Sequence, residues 1–163
     1  MNPNPFDVEV LNGGGVLVAD AGANDILYVD NKGRIEWVAT LPEALVSTAN
    51  AKALFGCPAG PPDICGLPDM IPGQAVATSI AIGPDGTLYV TELDEASWAA
   101  VEILQTPTGG TINACEWGSF PFACDEVATG LMIPTATAIG NDGTLYTTIW
   151  SLVPGLADVV AVP

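Results

Sequence analysis

The sequence predicts an all-β protein made of repeated antiparallel sheets. Residues 83–90 (GPDGTLYV) return almost unchanged as residues 140–147 (GNDGTLYT). Each copy places an Asp-Gly turn between two runs of β-forming residues, the pattern of a hairpin. The composition is 49% hydrophobic, with 18 Gly and 14 Pro and only 13% charged residues. This balance is typical of sheets joined by tight turns, and a unit found more than once indicates a repeat architecture.

The first repeat is a row of four strands, predicted over residues 6–11, 15–20, 26–29 and 35–39. Its first hairpin is a divergent copy of the unit, in which Gly14 aligns with Gly86 and Asp20 with Glu92. Four antiparallel strands with short connections form a meander, and a meander is the structure of one β-propeller blade. The first blade is therefore placed at about residues 5–42.

Residues 43–73 interrupt this rhythm and are predicted to form a loop insertion. A short helix is expected within residues 43–55, with Leu45, Ala49 and Leu54 on its apolar side. Residues 57–65 (CPAGPPDIC) are rich in Pro and are expected to have no regular structure. Loops of this length are usually functional or peripheral, and we expect this one to decorate the rim of the fold.

Two further blades complete a single domain over residues 1–163. The second, at about 77–130, is predicted to have strands at 78–82, 87–92 and 100–104. Its fourth strand is interrupted by residues 115–124 and completed near 127–129. The third blade, at about 134–163, is partial, with strands at 135–139, 144–149 and 158–162. A closed propeller ring has roughly four to eight blades, so the three blades predicted here are too few to close one.

The four cysteines form two local pairs, Cys57 with Cys65 and Cys115 with Cys124. Each pair brackets an irregular segment, which predicts two disulfides and an oxidising compartment. Unpaired thiols and a zinc site are the alternatives. The chain has no His and neither pair has the C-x2-C spacing of a zinc ribbon, so disulfides are favoured.

The charge balance restricts the partners. Lys and Arg number 3 against 19 Asp and Glu, a formal net charge of −16, which disfavours a nucleic-acid partner. The sequence has no apolar run of about 18 residues, so no membrane span is expected. The N-terminus lacks the basic and apolar regions of a signal peptide. With the disulfides, this predicts a mature or trimmed form of an extracellular or periplasmic protein.

Four stretches carry a family resemblance: residues 4–8 (NPFDV), 18–25 (VADAGAND), 83–93 (GPDGTLYVTEL) and the unit at 135–146. In this order they resemble the ScyD/ScyE family of exported, NHL-like propellers, over nearly the whole chain. The resemblance implies a six-bladed propeller from a longer precursor with a signal peptide. Some members are associated with the gene cluster for the cyanobacterial pigment scytonemin, and others have no assigned activity.

The length departs from that family. The chain resembles the family's first one and a half blades joined to its last one and a half, with the joint near residues 91–94. We therefore expect a shortened form that lacks middle blades. Two copies of a three-blade unit would give the six blades of a ring, so a homodimer or higher self-association is predicted.

Carboxylates at strand ends are the candidate metal ligands. Asp20 and Glu92 are equivalent in two repeats, and Asp25 and Asp94 lie nearby, which suggests oxygen ligands for Ca²⁺. Related propellers such as the gluconolactonase-type hydrolases hold a central divalent metal with carboxylates and an Asn, and the resemblance implies a similar site here. The alternative is that these carboxylates cap strand ends, and Ile149 at the third equivalent position breaks the ring. Without His, the commonest catalytic base is missing.

Aromatic side chains are the candidate binding residues. Trp117, Phe120 and Phe122 lie within the Cys115–Cys124 loop and are predicted to contact a protein or a small aromatic or apolar ligand. Trp37, Trp98 and Trp150 are assigned to packing between blades. The leading interpretation is a non-catalytic, exported binding or scaffold propeller of unassigned ligand. The alternatives are a metal-dependent lactonase- or hydrolase-like enzyme and a self-assembling structural subunit.

Overall fold

The first blade is a four-stranded antiparallel sheet in the order β1-β2-β3-β4. It is seen in a computed structural model that describes residues 3–93, 110–116, 123–150, 155 and 157–162. Its strands are β1 (Pro5–Val10), β2 (Val16–Asp20), β3 (Asp25–Val29) and β4 (Ile35–Thr40). All four strands match the predicted blade.

The insertion differs from its prediction. It contains β5 (Ala44–Ser47), α1 (Ala49–Leu54), α2 (Pro62–Cys65) and β6 (Met70–Gly73). The predicted helix over residues 43–55 is wrong in its first part, because β5 pairs with β6 as a small antiparallel sheet. The segment expected to be irregular includes α2, whose first residue is a proline, as helices allow. Among the described residues, no helix is long and apolar enough to cross a membrane.

The second blade is a four-stranded sheet in the order β10-β9-β8-β7. Its strands are β7 (Ala77–Ile82), β8 (Thr87–Glu92), β9 (Gly110–Glu116) and β10 (Cys124–Leu131). The predicted third strand at residues 100–104 lies outside the described residues. The strand that pairs with β8 is β9. The interruption expected within the fourth strand is the connection between β9 and β10.

The third sheet has three strands, as predicted, in the order β11-β12-β13. They are β11 (Pro134–Ile139), β12 (Leu145–Ile149) and β13 (Asp158–Val162). In each blade the first strand starts with one residue pair and then shifts register before the next pair. Because this irregularity recurs, it fixes the alignment of the repeats; the three pairs are Pro5–Asp20, Ala77–Glu92 and Pro134–Ile149.

The hairpin turns also repeat. Gly14, Gly86 and Gly143 have φ of 93°, 89° and 83°, a left-handed conformation that glycine adopts without a Cβ clash. In the second blade the Asp85 carboxylate accepts a hydrogen bond from the Thr87 N–H at 3.0 Å, and the third blade repeats this contact. These bonds lower the pKa of both turn aspartates.

The first blade lacks a turn aspartate and obtains the same contact from elsewhere. Gly13 occupies the position of Asp85 in the alignment. The side-chain oxygen of Asn31, in the β3–β4 hairpin, accepts the hydrogen bond from the Gly15 N–H at 2.9 Å. The turn geometry is therefore retained although its sequence is not.

Neighbouring blades pack face to face. In the second and third blades, we call the side that meets the preceding blade the front face, and we call the opposite side the back face. The repeat alignment defines the corresponding faces of the first blade. The back face of the first blade meets the front face of the second in the larger core cluster, and the second meets the third in a smaller one. The larger cluster includes Leu17, Ile26, Ile80, Leu88 and Val90, and the smaller one includes Ile112, Leu145 and Val162. The prediction of an all-β fold built of propeller blades is confirmed.

Candidate binding site: the open face of the first blade

The predicted metal ligand Asp20 is buried and its contacts are with the backbone. One of its carboxylate oxygens, Oδ1, accepts hydrogen bonds from the N–H groups of Asn4 at 2.8 Å, Gly22 at 2.9 Å and Ala23 at 3.3 Å. These bonds close the turn after β2 and hold the segment that leads into β1. The arrangement is that of a strand-end cap, which was the alternative interpretation.

Glu92, its equivalent in the second blade, is also buried and accepts a long hydrogen bond of 3.5 Å from the Thr111 hydroxyl. Asp25 accepts a hydrogen bond from the Thr40 hydroxyl, and Asp94 lies outside the described residues. Ca²⁺ takes about six to eight oxygen ligands. Within the part of the chain that the structure describes, no group of three or more His, Cys, Asp or Glu side chains is placed to hold a metal ion.

Both predicted disulfides are present. The sulfur atoms of Cys57 and Cys65 are 2.02 Å apart, and those of Cys115 and Cys124 are 2.11 Å apart. The second bridge joins residues that pair directly across β9 and β10, so it links the two strands where they leave the sheet. The predicted contact residues Trp117, Phe120 and Phe122 lie outside the described residues, and their role stays a prediction.

The front face of the first blade is apolar from one edge to the other. Along β1, apolar side chains on this face alternate with Asp7 and Glu9 on the back face. The strand register continues each apolar position across all four strands. Two complete rows result, Val8–Val18–Leu27–Trp37 and Val10–Val16–Val29–Ile35. Phe6, near the start of β1, adds a further apolar side chain to this face.

This face is open to solvent along its two outer strands, β1 and β4, whereas Val18 between them is buried. Five of its side chains are among the large apolar residues that the fold leaves most exposed: Phe6 (52%), Val8 (51%), Val10 (71%), Ile35 (67%) and Trp37 (59%). Trp37 and Trp150, both assigned to blade packing, are exposed, so no blade among the described residues of the chain covers either of them. The count of three blades predicts faces that no blade of the chain covers, and the alternation of apolar and acidic residues along β1 is the signal that identifies the residues of this one.

The third blade has an open face of a different composition. Its back face carries two rows, Ala136–Thr148–Val159 and Ala138–Tyr146–Ala161. Both rows are uncharged, and their alanines are exposed. Tyr146 and Val159 are the large exposed side chains of these rows, whereas every residue of the first blade's front rows is Val, Leu, Ile or Trp.

The same type of hydrogen bond joins the blades at both internal junctions. It connects the first strands of successive blades, β1, β7 and β11, which we call the inner strands. The Asp7 carboxylate of the first blade accepts a hydrogen bond from the Ile80 N–H of the second at 3.1 Å. The Ser79 hydroxyl oxygen of the second blade accepts one from the Thr137 N–H of the third at 2.9 Å. In both cases the third residue of an inner strand supplies the oxygen, and the fourth residue of the next inner strand supplies the N–H. Ser79 also donates to Asp7 at 2.6 Å, so the two bonds are connected.

Comparison with known proteins supports the fold. The chain matches no family model and no curated protein. It is similar to the PQQ-bound aldose sugar dehydrogenase of Streptomyces coelicolor, with a TM-score of 0.58 and 20% identity over 91% of this chain and 38% of that protein. It is also similar to a glucose dehydrogenase-type oxidoreductase of Thermus thermophilus, with a TM-score of 0.54 and 16% identity over 89% of this chain and 36% of that one.

The chain folds as a segment of a β-propeller. It spans less than two fifths of the length of these two propeller-type dehydrogenases, and at this level of identity the similarity shows the fold alone. The ScyD/ScyE resemblance stays a prediction. Against whole propellers, the distinctive feature of this segment is that its first and third blades each have a face without a neighbouring blade among the described residues.

Proposed function

We propose that the chain is an exported, non-catalytic scaffold propeller segment that self-associates through its open blade faces. The front face of the first blade carries this proposal. Its two rows are apolar throughout, and the equivalent front faces of the second and third blades are both covered by a neighbouring blade. The largest apolar patch on a soluble protein is often an interaction site.

Three further observations support the proposal. The two disulfides are compatible with an extracellular or periplasmic location, and the ScyD/ScyE resemblance implies export. The net charge of −16 keeps the rest of the surface hydrated, so association is directed to the uncharged faces. The alternative of a metal-dependent lactonase- or hydrolase-like enzyme would need ligands in addition to Asp20 and Glu92.

Sedimentation equilibrium over a wide range of protein concentration tests the proposal. We expect an assembly larger than one chain that dissociates on dilution. A Val8→Lys substitution places a charge in the apolar rows and is expected to give a monomer. Leu45→Lys is the matched control, because Leu45 is 67% exposed but lies in the β5–β6 hairpin outside the blade faces.

A folded wild-type chain that remains monomeric at every concentration would contradict the proposal. The enzyme alternative is tested separately by titration with Ca²⁺, for which we expect no rise in Tm. A rise in Tm that is lost in Glu92→Gln would favour the metal-dependent alternative.

A further inference from the structure

We infer that the self-association is head to tail: the back face of the third blade in one copy packs on the front face of the first blade in another, and two copies close a six-bladed ring. This inference rests on the proposed function and specifies its interface. It also predicts that the two open faces, which differ in sequence, bind each other.

The repeat alignment identifies the two open faces as the halves of one junction. At both internal junctions a back face meets a front face. Leu17 on the first back face aligns with Tyr89 on the second and Tyr146 on the third. Leu17 packs in the core cluster of the first junction and Tyr89 against that of the second, whereas Tyr146 is exposed.

The front faces show the complementary pattern. Leu88 and Leu145 are the front-face residues of the second and third blades, and both are buried at a junction. The equivalent residue in the first blade is Val16, which belongs to the open apolar rows. The unused back face and the unused front face are therefore of the types that pack together twice within the chain.

The compositions of the two faces are also complementary. Large side chains such as Phe6 and Trp37 project from the first blade, and the third blade presents alanines at three of the six positions in its rows. The alanines leave space for projecting side chains, and Tyr146 and Val159 offer apolar area for them to contact. Neither set of rows contains a charged residue, so closing the junction leaves no charge of these rows buried without a partner.

Where the back face of the third blade would meet the front face of the first, the backbone N–H that would lie at the contact already has a hydrogen-bond acceptor in its own chain. By the rule of the internal junctions, the third residue of β11 would accept a hydrogen bond from the fourth residue of the next copy's β1. These residues are Ala136, which has no side-chain oxygen, and Val8. The Val8 N–H, however, already donates to the Asp7 carboxylate in its own chain at 2.8 Å. No N–H at this point is left without an acceptor when the faces meet.

The interface area favours a closed ring over a single contact. Four strands about 4.8 Å apart, with about six residues each at roughly 3.3 Å per residue, present a face of the order of 300 Å². One junction would cover about 600 Å² in total, which is less than stable interfaces usually bury, whereas two junctions reach about 1,200 Å². Two copies of three blades make both junctions at once, and six blades lie within the range in which propellers close.

Complementary charges test the head-to-tail arrangement. Val8→Lys alters only the front face of the first blade, and Ala136→Glu alters only the back face of the third. A homodimer of either variant has a charge in both junctions, so we expect each to dimerise at least about 100-fold more weakly than the wild type. An equimolar mixture forms a heterodimer with one unaltered junction and one Lys–Glu junction. We expect its dissociation constant to lie within about 10-fold of the wild-type value.

The outcomes separate the inference from the proposed function. If Ala136→Glu dimerises as the wild type does and Val8→Lys does not, two first-blade faces meet each other, which overturns the head-to-tail arrangement but leaves self-association intact. Wild-type assemblies that grow beyond two copies would overturn the closed ring. A monomeric wild type would overturn the proposed function itself.

Circular dichroism and Tm confirm that each variant is folded before its mass is measured. Where a variant does not fold, Val10→Lys and Ala138→Glu replace the pair, because they lie in the second row of each face. The double variant that carries both Leu45→Lys and Ala136→Glu in one chain is the negative control. Its lysine lies outside the blade faces, so it should dimerise as weakly as Ala136→Glu alone. Restoration of dimers in this control would overturn the assignment of the front face.

Discussion

The two internal junctions share one geometry but differ in chemistry. At the junction between the first and second blades, aligned positions carry Ala19, Ile80 and Val90, all buried among apolar side chains. At the junction between the second and third blades, the same positions carry threonines, which are also buried. The three substitutions, in order, are Ala19 to Thr91, Ile80 to Thr137 and Val90 to Thr147.

The threonine junction is stable because each buried hydroxyl has a partner. The hydroxyls of Thr91 and Thr137 are hydrogen-bonded to each other, and Thr147 donates to the Ala136 carbonyl at 3.0 Å. Thr78 donates to the Pro134 carbonyl at 2.8 Å across the same junction. The repeated turns and register shifts therefore position the blades, and the faces between them tolerate either apolar packing or a satisfied polar network.

The largest difference between the junctions is expected from aligned leucines. Leu88→Ala removes a completely buried side chain from the larger cluster and should lower the free energy of unfolding by about 3–5 kcal/mol. Leu145→Ala, at the equivalent position of the smaller and more exposed cluster, should cost about 2–3 kcal/mol. Urea denaturation at one fixed protein concentration measures both. Equal losses would show that the two junctions contribute equally despite their composition.

The hydrogen bonds through Ser79 connect the junctions, and a double-mutant cycle measures the connection. Asp7→Ala removes the acceptor for Ser79 and for the Ile80 N–H and should cost about 2–3 kcal/mol. Ser79→Ala should cost about 1–2 kcal/mol, because it also removes the acceptor of Thr137. Since the two residues share a bond, we expect a coupling energy of about 1 kcal/mol or more. Strictly additive losses would mean that the two bonds act independently.

The threonine network itself is tested by Thr137→Val, which keeps the shape of the side chain and removes its hydroxyl. The partners Thr91 and Thr147 lose a hydrogen bond in a buried site, so unfolding should become easier by about 1–2 kcal/mol. Thr137→Ser retains the hydroxyl and is the control, with a loss limited to one methyl group. If the valine variant is as stable as the wild type, the Thr137 hydroxyl contributes nothing to the free energy of unfolding. The second junction would then be stabilised by apolar packing, as the first is.

The repeat architecture could be predicted from the sequence because its signals are local. The Asp-Gly turns, the alternating strands and the Cys pairs each depend on residues close together in the chain, and the structure confirms them. The turn of the first blade shows the limit of such signals. Its stabilising contact comes from Asn31, sixteen residues from Gly15, and no local motif marks that interaction.

Local signals fail where pairing between distant segments decides the structure. Residues 44–47 suit a helix by composition but pair with β6, more than twenty residues later. Similarly, the strand beside β8 is β9, which follows only after a long connection, and no local signal identifies a partner at that distance. The role of Asp20 cannot be decided from the sequence, because an aspartate at a strand end can either cap the strand or bind a metal. Only the N–H groups around its Oδ1 atom distinguish them.

The smallest expected effect concerns pH and the acidic residues of the first junction. Burial raises the pKa of Glu9, Asp7 raises it further, and a hydrogen bond from the Ile82 N–H partly opposes this. At the second junction the equivalent residue is Ala81, which has no charge to titrate. Because the folded protein binds this proton more tightly than the unfolded chain does, ionisation of Glu9 lowers stability as the pH rises above the ordinary glutamate pKa.

Glu9→Gln should therefore raise Tm at about pH 7.5 by roughly 1–3 °C and leave it nearly unchanged at about pH 3.5, where Glu9 is protonated in both states. Asp85→Asn provides a control of opposite sign. The Thr87 N–H lowers the pKa of Asp85, so its stabilising contribution is present at neutral pH and is lost as the pH falls through the folded-state value. Thermal unfolding followed by circular dichroism at both pH values measures the two variants. An equal Tm for Glu9→Gln and wild type at neutral pH would show that the first junction tolerates its two carboxylates without cost.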